Sequence, residues 1–257
     1  MVIDAHAHVS WPGGTSSEET SWALDQAQID AGDALGIDVF VCSCLAPRPS
    51  TPESFRAAND RMLAAIQRWP GRVWGYCYVN PGYSREALAE IERCLAHDDV
   101  VGVKLYNEYF FDDPVLRPVI EKCIELDVPI LEHQGRCTDP LPGQPYISDA
   151  GHMARVAREY PEAKLIVGHI GGGGDWEWVI KATAEAPTLY ADTSGSVVDE
   201  GLIEAAVARI GADRLLFACD GSHSAGVGKL RGARISEADR QAIASGNFLR
   251  LLGRSVA

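Results

Sequence analysis

Short hydrophobic runs recur at regular intervals along the chain, and they are rich in β-branched residues. Runs of this kind are typical of parallel strands that are covered on both faces. The pattern predicts eight strands, at residues 2–5, 39–45, 73–79, 101–106, 129–133, 165–169, 189–192 and 215–219. The stretches between them show the helical spacing of apolar residues, for example at 85–95 and 116–126.

Strand and helix alternate throughout, and eight such units in 257 residues predict a closed (β/α)8 barrel, the TIM-barrel architecture. The competing fold is an open, doubly wound sheet, which normally has a glycine-rich phosphate turn after its first strand. Here His6-Ala7-His8 occupies that place. No change in composition and no linker divides the chain, so we expect one domain over residues 1–257.

Histidines and an aspartate stand at the ends of several predicted strands. His6 and His8 are two residues apart and therefore project to the same face of the first strand. His133, His169 and Asp220 stand at the ends of the fifth, sixth and eighth strands. The strands of a parallel barrel all end at one rim, where active sites lie. Imidazoles with a carboxylate suit zinc and also accept manganese or iron, so we expect a metal site.

The charge balance narrows the range of partners. Acidic residues outnumber basic ones by 36 to 23, and the net charge of −13 would repel phosphate backbones and anionic lipid. The N-terminal residues lack the features of a signal peptide, and no apolar run is long enough for a membrane span. We therefore expect a soluble, cytoplasmic protein with a small-molecule substrate and no nucleic-acid or membrane partner. A homo-oligomer is compatible with the sequence.

Several motifs, taken in order, resemble those of the amidohydrolase superfamily: IDAHAHV, VGVKLY, ILEHQG, IVGHIGGGGDW, LYADTSG and LLFACDG. The similarity is to its amidohydrolase-2 group, which includes relatives of aminocarboxymuconate semialdehyde decarboxylase. The resemblance implies that one divalent ion is bound by His6, His8, His133 and Asp220. It also implies that His169 contacts the metal-bound water.

The resemblance leaves more than one activity open. Our main expectation is hydrolysis of a small amide, ester or lactone, in which Asp220 moves a proton and His169 holds the water or stabilises the oxyanion. The alternative is a non-oxidative decarboxylase of a small unsaturated or aromatic acid, in which His169 helps to protonate a carbon. A third reading is a barrel that binds its metal only structurally.

Other residues near strand ends are candidates for binding the substrate. Some branches of the superfamily bridge two metals with a carboxylated lysine on the fourth strand, but we expect Lys104 to be unmodified beside a single ion. Asp192 and Ser194 either orient a ligand or cap the next helix. The residues expected to contact the substrate or line its loops are Trp11, Arg48, Lys104, Tyr106, Arg136 and Trp176. Of these, Arg48 and Arg136 could each clamp a carboxylate.

Overall fold

The structure, a computed structural model, describes residues 1–13, 16–135, 146–172 and 175–254. Its eight parallel strands form one sheet in chain order, which confirms the predicted single-domain (β/α)8 barrel. The strands are β1 (Ile3–Val9), β2 (Val39–Cys44), β3 (Val73–Tyr78), β4 (Val100–Leu105), β5 (Ile130–His133), β6 (Leu165–Gly168), β7 (Tyr190–Asp192) and β8 (Leu215–Leu216).

Helices lie between successive strands, and three more follow the last strand. They are α1 (Glu18–Leu35), α2 (Pro52–Arg68), α3 (Ser84–Leu95), α4 (Arg117–Glu125), α5 (Ala150–Glu159), α6 (Trp176–Ala184), α7 (Leu202–Ile210), α8 (His223–Gly232), α9 (Glu237–Gln241) and α10 (Asn247–Leu251). Local sequence explains several of their starts. Ser17 caps α1 by accepting from the Thr20 amide, and Thr51 with Ser54 forms a capping box at the start of α2.

All eight predicted strands are present, and two of them differ from the predicted length by more than one residue. β1 continues to Val9 although residues 6 and 8 are histidines, because its backbone stays paired with β2. β8 has only two residues, where the hydrophobic run predicted five (215–219). Phe217 has left the ladder with β7, and its amide donates to the carbonyl of Ile243.

The strands separate two hydrophobic layers. A large outer layer packs the strands against the helices. A smaller inner cluster fills the barrel with Ile3, Ala5, Val39, Val41, Tyr76, Val101, Leu131, Ile166 and Leu216, together with Phe248, Leu249 and Leu251 of α10. Just after α10, the side chain of Arg254 donates to the carbonyl of Asp98, which precedes β4. The C-terminal helix therefore covers the N-terminal end of the barrel and leaves the opposite end for the site.

The barrel closes between β8 and β1 without a regular ladder. The amide of Ala5 donates to the carbonyl of Phe217 (2.9 Å), and the amide of Asp220 donates to the carbonyl of His6 (2.8 Å).

None of the helices in the described part of the chain is long and apolar enough to cross a membrane.

Candidate functional site

A β-bulge in β1 turns the two histidines of the HxH motif into the barrel mouth. Between Asp4 and Ala7 the strand advances three residues while β2 advances two. Ala5 belongs to the inner cluster, whereas Ala7 belongs to the outer layer. The extra residue therefore shifts the alternation, so that His6 and His8, which flank Ala7, face the mouth.

Three of the four predicted ligands come together there. One ligand atom from each of His6, His8 and Asp220 lies within 4.8 Å of the others. His8 Nε2 is 2.9 Å from Asp220 Oδ1, and His6 Nε2 is 3.8 Å from the same oxygen. Ligand atoms that each lie about 2.0–2.2 Å from one ion are about 3 to 4 Å apart. The spacing of these three groups therefore fits a shared cation.

The hydrogen bonds around the two histidines also suit metal ligands. His6 Nδ1 donates to Asp192 Oδ2 (2.8 Å), and His8 Nδ1 lies 3.0 Å from Ser43 Oγ. In each ring Nε2 is then the nitrogen that faces Asp220, and metal-binding imidazoles usually have this kind of partner on their other nitrogen. Burial, followed by the charge of Lys104, lowers the pKa of His6 to about 3. The ring is therefore neutral at neutral pH, as metal binding requires.

His133, the fourth predicted ligand, is hydrogen-bonded to His169 and does not join the group formed by His6, His8 and Asp220. Its Nδ1 lies 2.9 Å from Nε2 of His169, with which it shares a hydrogen bond. For His133 to bind a cation together with His6, His8 and Asp220 through Nδ1, this hydrogen bond has to give way. Burial, and then the neighbouring His169, hold the pKa of His133 well below its ordinary value.

Asp192 and Ser194 form hydrogen bonds with the histidines of the site, His6 and His169. They do not cap α7, whose N-cap is Gly201. Ser194 Oγ lies 2.5 Å from Asp192 Oδ1 and 2.8 Å from His169 Nδ1. The carboxylate can only accept, so the serine hydroxyl donates to Asp192 and accepts from His169. Burial acts to raise the pKa of Asp192, but the interactions with His6, His169 and Ser194 hold it below its ordinary value.

Two of the site residues have a backbone conformation that is rare for residues with a side chain. The φ angle is 78° at His169 and 46° at Asp220. Hydrogen bonds stabilise both backbones, since the His169 amide donates to Asp192 Oδ1 (3.0 Å) and the Asp220 amide donates to the His6 carbonyl (2.8 Å). Such conformations cluster at functional sites, where the surrounding contacts hold them.

His169 and Asp220, the two residues predicted to be catalytic, are neighbours. His169 Nδ1 lies 3.5 Å from Asp220 Oδ2. Burial would raise the pKa of Asp220, but His6, the hydrogen bond from His8 and the proximity of His169 hold it far below its ordinary value. Asp220 is therefore ionised in this arrangement.

Lys104 lies inside the site. Its side chain is completely buried, and Nζ donates to His6 Nε2 at 2.9 Å. Burial lowers the pKa of Lys104 to about 8, against the opposite effects of Asp220, Asp192 and Glu132. The ammonium therefore contacts the same His6 nitrogen that faces Asp220.

Two predicted substrate contacts form a cluster with His133. The ring of Tyr106 stacks on the imidazole of His133, with centroids 4.0 Å apart. The guanidinium carbon of Arg48 lies 4.0 Å from the centroid of the Tyr106 ring. We call these three residues the Arg48–Tyr106–His133 cluster.

Two further predicted substrate contacts pack against the outer hydrophobic layer. They are Trp11 and Trp176, which are both half-buried. The Trp176 indole donates to Asp199 Oδ2 in the loop before α7 (2.9 Å). Arg136 lies outside the described residues.

The sequence did not identify three residues that shape the site. Ser43 holds His8 from β2, and its polarity within the apolar run VFVCSC was an available signal. Gly168 leaves room for His6, because a Cβ there would lie 3.3 Å from His6 Cε1 and 2.5 Å from the Glu132 carbonyl oxygen. Asp4 accepts from two backbone amides at the barrel closure. No local pattern announces the contacts of Gly168 or the bond from Cys219 to Asp4, because both depend on how distant strands meet.

A family model described as Amidohydrolase matches residues 3–254. The chain therefore belongs to the amidohydrolase family, in its amidohydrolase-2 group. No curated protein matches the sequence.

Solved structures with the same fold cover nearly the whole chain. A dihydroxybenzoic acid decarboxylase from Polaromonas sp. JS666, with bound manganese and 2-nitroresorcinol, has a TM-score of 0.76 and 22% identity, over 98% of this chain and 96% of that one. The 5-carboxyvanillate decarboxylase LigW from Sphingomonas paucimobilis has a TM-score of 0.76 and 17% identity, over 99% of both chains. A 4-oxalomesaconate hydratase from Rhodopseudomonas palustris has a TM-score of 0.72 and 18% identity, over 99% of this chain and 96% of that one.

These comparisons contradict our expectation of hydrolysis. Most of the matched structures with a named reaction are decarboxylases, acting on dihydroxybenzoate or 5-carboxyvanillate. The findings therefore favour the alternative, non-oxidative decarboxylation. Membership of an enzyme superfamily and a relation to proteins that bind a divalent metal are supported, while zinc as the particular metal stays a prediction.

Proposed function

We propose that this protein is a metal-dependent, non-oxidative decarboxylase of a small aromatic or unsaturated carboxylic acid. The observation that carries this proposal is the position of the Arg48–Tyr106–His133 cluster beside the group formed by His6, His8 and Asp220. Lys104 connects the two, since its Nζ lies 2.9 Å from His6 Nε2 and 5.9 Å from the centroid of the Tyr106 ring. The cluster places an exposed cation, Arg48, next to a set of side chains that could bind a metal. The decarboxylases that share the fold support the same reaction.

One divalent ion would be held by His6, His8 and Asp220, with His133 as a fourth ligand once it is released from His169. Zinc, manganese and iron all accept this donor set. When bound, such an ion would withdraw electron density from the oxygens of the substrate.

The Arg48–Tyr106–His133 cluster would bind the substrate itself. A guanidinium pairs with a carboxylate or phenolate through parallel hydrogen bonds, and the Tyr106 ring, which lies between His133 and Arg48, would hold the guanidinium in place. Arg48 is exposed and is therefore accessible to a ligand from solvent. The negative net charge of −13 makes such a local cation more important for holding an anionic substrate.

The reaction also requires that a proton be delivered to the substrate carbon. In the reaction the bond between the substrate carbon and its carboxylate breaks, carbon dioxide leaves, and the carbon keeps the electron pair and takes up one proton. His169 Nδ1 and Asp220 Oδ2 are 3.5 Å apart, a contact that would have to shorten in the substrate complex before a proton could pass between them. We assign to His169 and Asp220 the delivery of that proton, and to Ser194 and Asp192 the orientation of the His169 ring.

The test uses purified full-length protein loaded with Mn²⁺ or Zn²⁺, and the same protein stripped of metal as the control. It is incubated in deuterated water with 2,6-dihydroxybenzoate, with 5-carboxyvanillate and with a wider panel of aromatic and unsaturated acids. We expect carbon dioxide release only from the loaded protein. The product should carry one deuteron on the carbon that bore the carboxylate.

A product that is heavier by one water would indicate hydrolysis or hydration and would overturn the proposal. The same conclusion follows if protein that is shown to hold its metal releases no carbon dioxide from any acid in the panel.

A further inference from the structure

Asp4 is a buried carboxylate in the HxH strand, and the mechanism above does not use it. Its side chain is completely buried, and its Oδ1 accepts from the amide of His6 (3.1 Å) and from the amide of Cys219 (2.9 Å). Its other oxygen, Oδ2, has no hydrogen-bond partner among the described residues. One carboxylate oxygen thus joins the backbones of β1 and of the segment after β8, at the point where the barrel closes.

The two amides belong to a proposed metal ligand and to the residue just before another one. His6 is itself a proposed ligand, and Cys219 precedes the proposed ligand Asp220. The same segments are joined further along by the Asp220 amide, which donates to the His6 carbonyl (2.8 Å). Asp4 Oδ1 therefore fixes the distance between the backbones from which two proposed ligands project.

The geometry of the closure explains why a side chain is needed there. In a regular parallel ladder that begins with Ala5 donating to Phe217, the amide of Cys219 would donate to the carbonyl of Ala5. That carbonyl instead accepts from the hydroxyl of Tyr76, inside the barrel (3.1 Å). The bulge has turned the carbonyl away, and Asp4 Oδ1 takes its place as the acceptor for Cys219.

We propose that Asp4 is a positioning residue for the metal site: its Oδ1 replaces a backbone carbonyl at the β1–β8 closure and holds His6 and Asp220 at a distance that one divalent ion can bridge. This inference rests on the metal site of the proposed function. It assigns to Asp4 an acceptor role, which needs one oxygen and no direct contact with the ion.

The experiment compares four full-length proteins: wild type, Asp4→Ala, Asp4→Asn and Asp38→Ala. Asparagine keeps an oxygen that can accept both amides, whereas alanine removes it. Asp38→Ala is the matched control, because the Asp38 side chain also accepts from a backbone amide, that of Val2 just before β1 (2.6 Å), but does so away from the mouth. The affinity for Mn²⁺ is measured by calorimetry, and thermal unfolding is measured on the metal-free proteins.

Asp4→Ala should bind Mn²⁺ about 10- to 100-fold more weakly than wild type, the usual loss when a partner of the ligands is removed. Asp4→Asn and Asp38→Ala should bind it with nearly the wild-type affinity. Hydrogen exchange of the metal-free proteins should show faster exchange in residues 1–9 and 215–222 of Asp4→Ala but not of Asp4→Asn. If Asp4→Ala is insoluble, Asp4→Ser replaces it, since its short hydroxyl cannot bridge the two amides.

An alanine or serine variant with wild-type affinity would overturn the inference, even if its unfolding temperature fell, because that is the result of a merely structural role. Equal losses in Asp4→Asn and Asp4→Ala would also overturn it, since the charge would then matter and not the acceptor. A wild-type protein that takes up no ion refutes the proposed function and with it the role of Asp4 toward a metal. The exchange measurement then decides separately whether Asp4 joins the two strands.

Discussion

The phenol ring of Tyr106 lies nearly parallel to the imidazole of His133, with centroids 4.0 Å apart and ring planes 8° apart. Arg48 contacts the same phenol ring through its guanidinium. A side chain from β5 that is a proposed metal ligand is thus connected to a cation from the loop after β2. This contact links the metal-binding end of the mouth to the part that would recognise a substrate anion.

The first prediction concerns the role of Arg48 in substrate binding. Arg48→Met should raise KM for an aromatic acid about 10- to 100-fold and leave kcat nearly unchanged, because a hydrogen bond to a charged group contributes about 1.5–3 kcal/mol. Steady-state kinetics on the metal-loaded protein check this. Arg56→Met, at an exposed arginine of α2, is the control and should leave both constants unchanged. An unchanged KM in Arg48→Met would remove Arg48 from the substrate site.

The second prediction concerns metal content. Wild type should hold about one divalent ion per chain, and the double variant His6→Ala/His8→Ala should hold none, because Asp220 and His133 alone are too weak a donor set. Elemental analysis after dialysis measures the content. His97→Ala, at an exposed histidine after α3, should keep the ion. Equal metal content in the double variant and wild type would show that the ligands lie elsewhere.

The sequence was sufficient to predict the barrel, since the eight hydrophobic runs and the helical stretches between them depend on short-range periodicity. It also predicted that His6, His8 and Asp220 lie at one rim, because parallel strands end on the same side of a barrel. The rule of alternation placed His6 and His8 on the same face. It did not say which face, because the bulge between Asp4 and Ala7 reverses the alternation.

Contacts between distant segments could not be predicted from the sequence. The pairing of His133 with His169 depends on the side-chain orientations of two neighbouring strands. The contact of Lys104 with His6 joins residues that are 98 positions apart in the chain. Hydrolysis was the wrong expectation for a related reason: the motifs identify the metal-binding family, while the reaction depends on loops and proton donors that vary around the same ligands.

The third prediction concerns the space beside His6. A methyl group at residue 168 would lie 2.5 Å from the Glu132 carbonyl oxygen, and the backbone cannot move aside without disturbing the β5–β6 pairing. Gly168→Ala should therefore lower stability by about 1–3 kcal/mol and weaken metal binding. Gly228→Ala is the control, because that position in α8 is exposed and has nothing within 4 Å of the added Cβ. Denaturant unfolding of both variants measures the difference, and equal stabilities would contradict the close approach.

The fourth prediction concerns Lys104, whose ammonium contacts the His6 nitrogen that faces Asp220. Two like charges at about 4 Å repel by roughly 4 kcal/mol at an effective dielectric constant of 20, so Lys104→Met should tighten divalent-metal binding at least about tenfold. Calorimetry with Mn²⁺ measures the affinity. A carboxylated Lys104 that bridges two ions would give the opposite result, a loss of metal. That outcome, together with two ions per chain in the wild type, would refute an unmodified lysine.

The last prediction separates the chemistry of His169 from metal binding. Both ring nitrogens of His169 are engaged, Nδ1 with Ser194 and Nε2 with His133. His169 also lies outside the group formed by His6, His8 and Asp220, although its ligand atom lies near those of His6 and Asp192 in a second group that could hold an ion. His169→Asn should therefore retain its metal but lose roughly 10²- to 10⁴-fold in kcat, the range for a positioned acid or base. Ser194→Ala, which keeps the imidazole but removes the group that orients it, should lose less activity and also keep the metal. Metal analysis and single-turnover rates on the same samples distinguish the roles. If His169→Asn loses its metal and regains activity with excess Mn²⁺, His169 is a ligand, and the proton must be delivered by another residue.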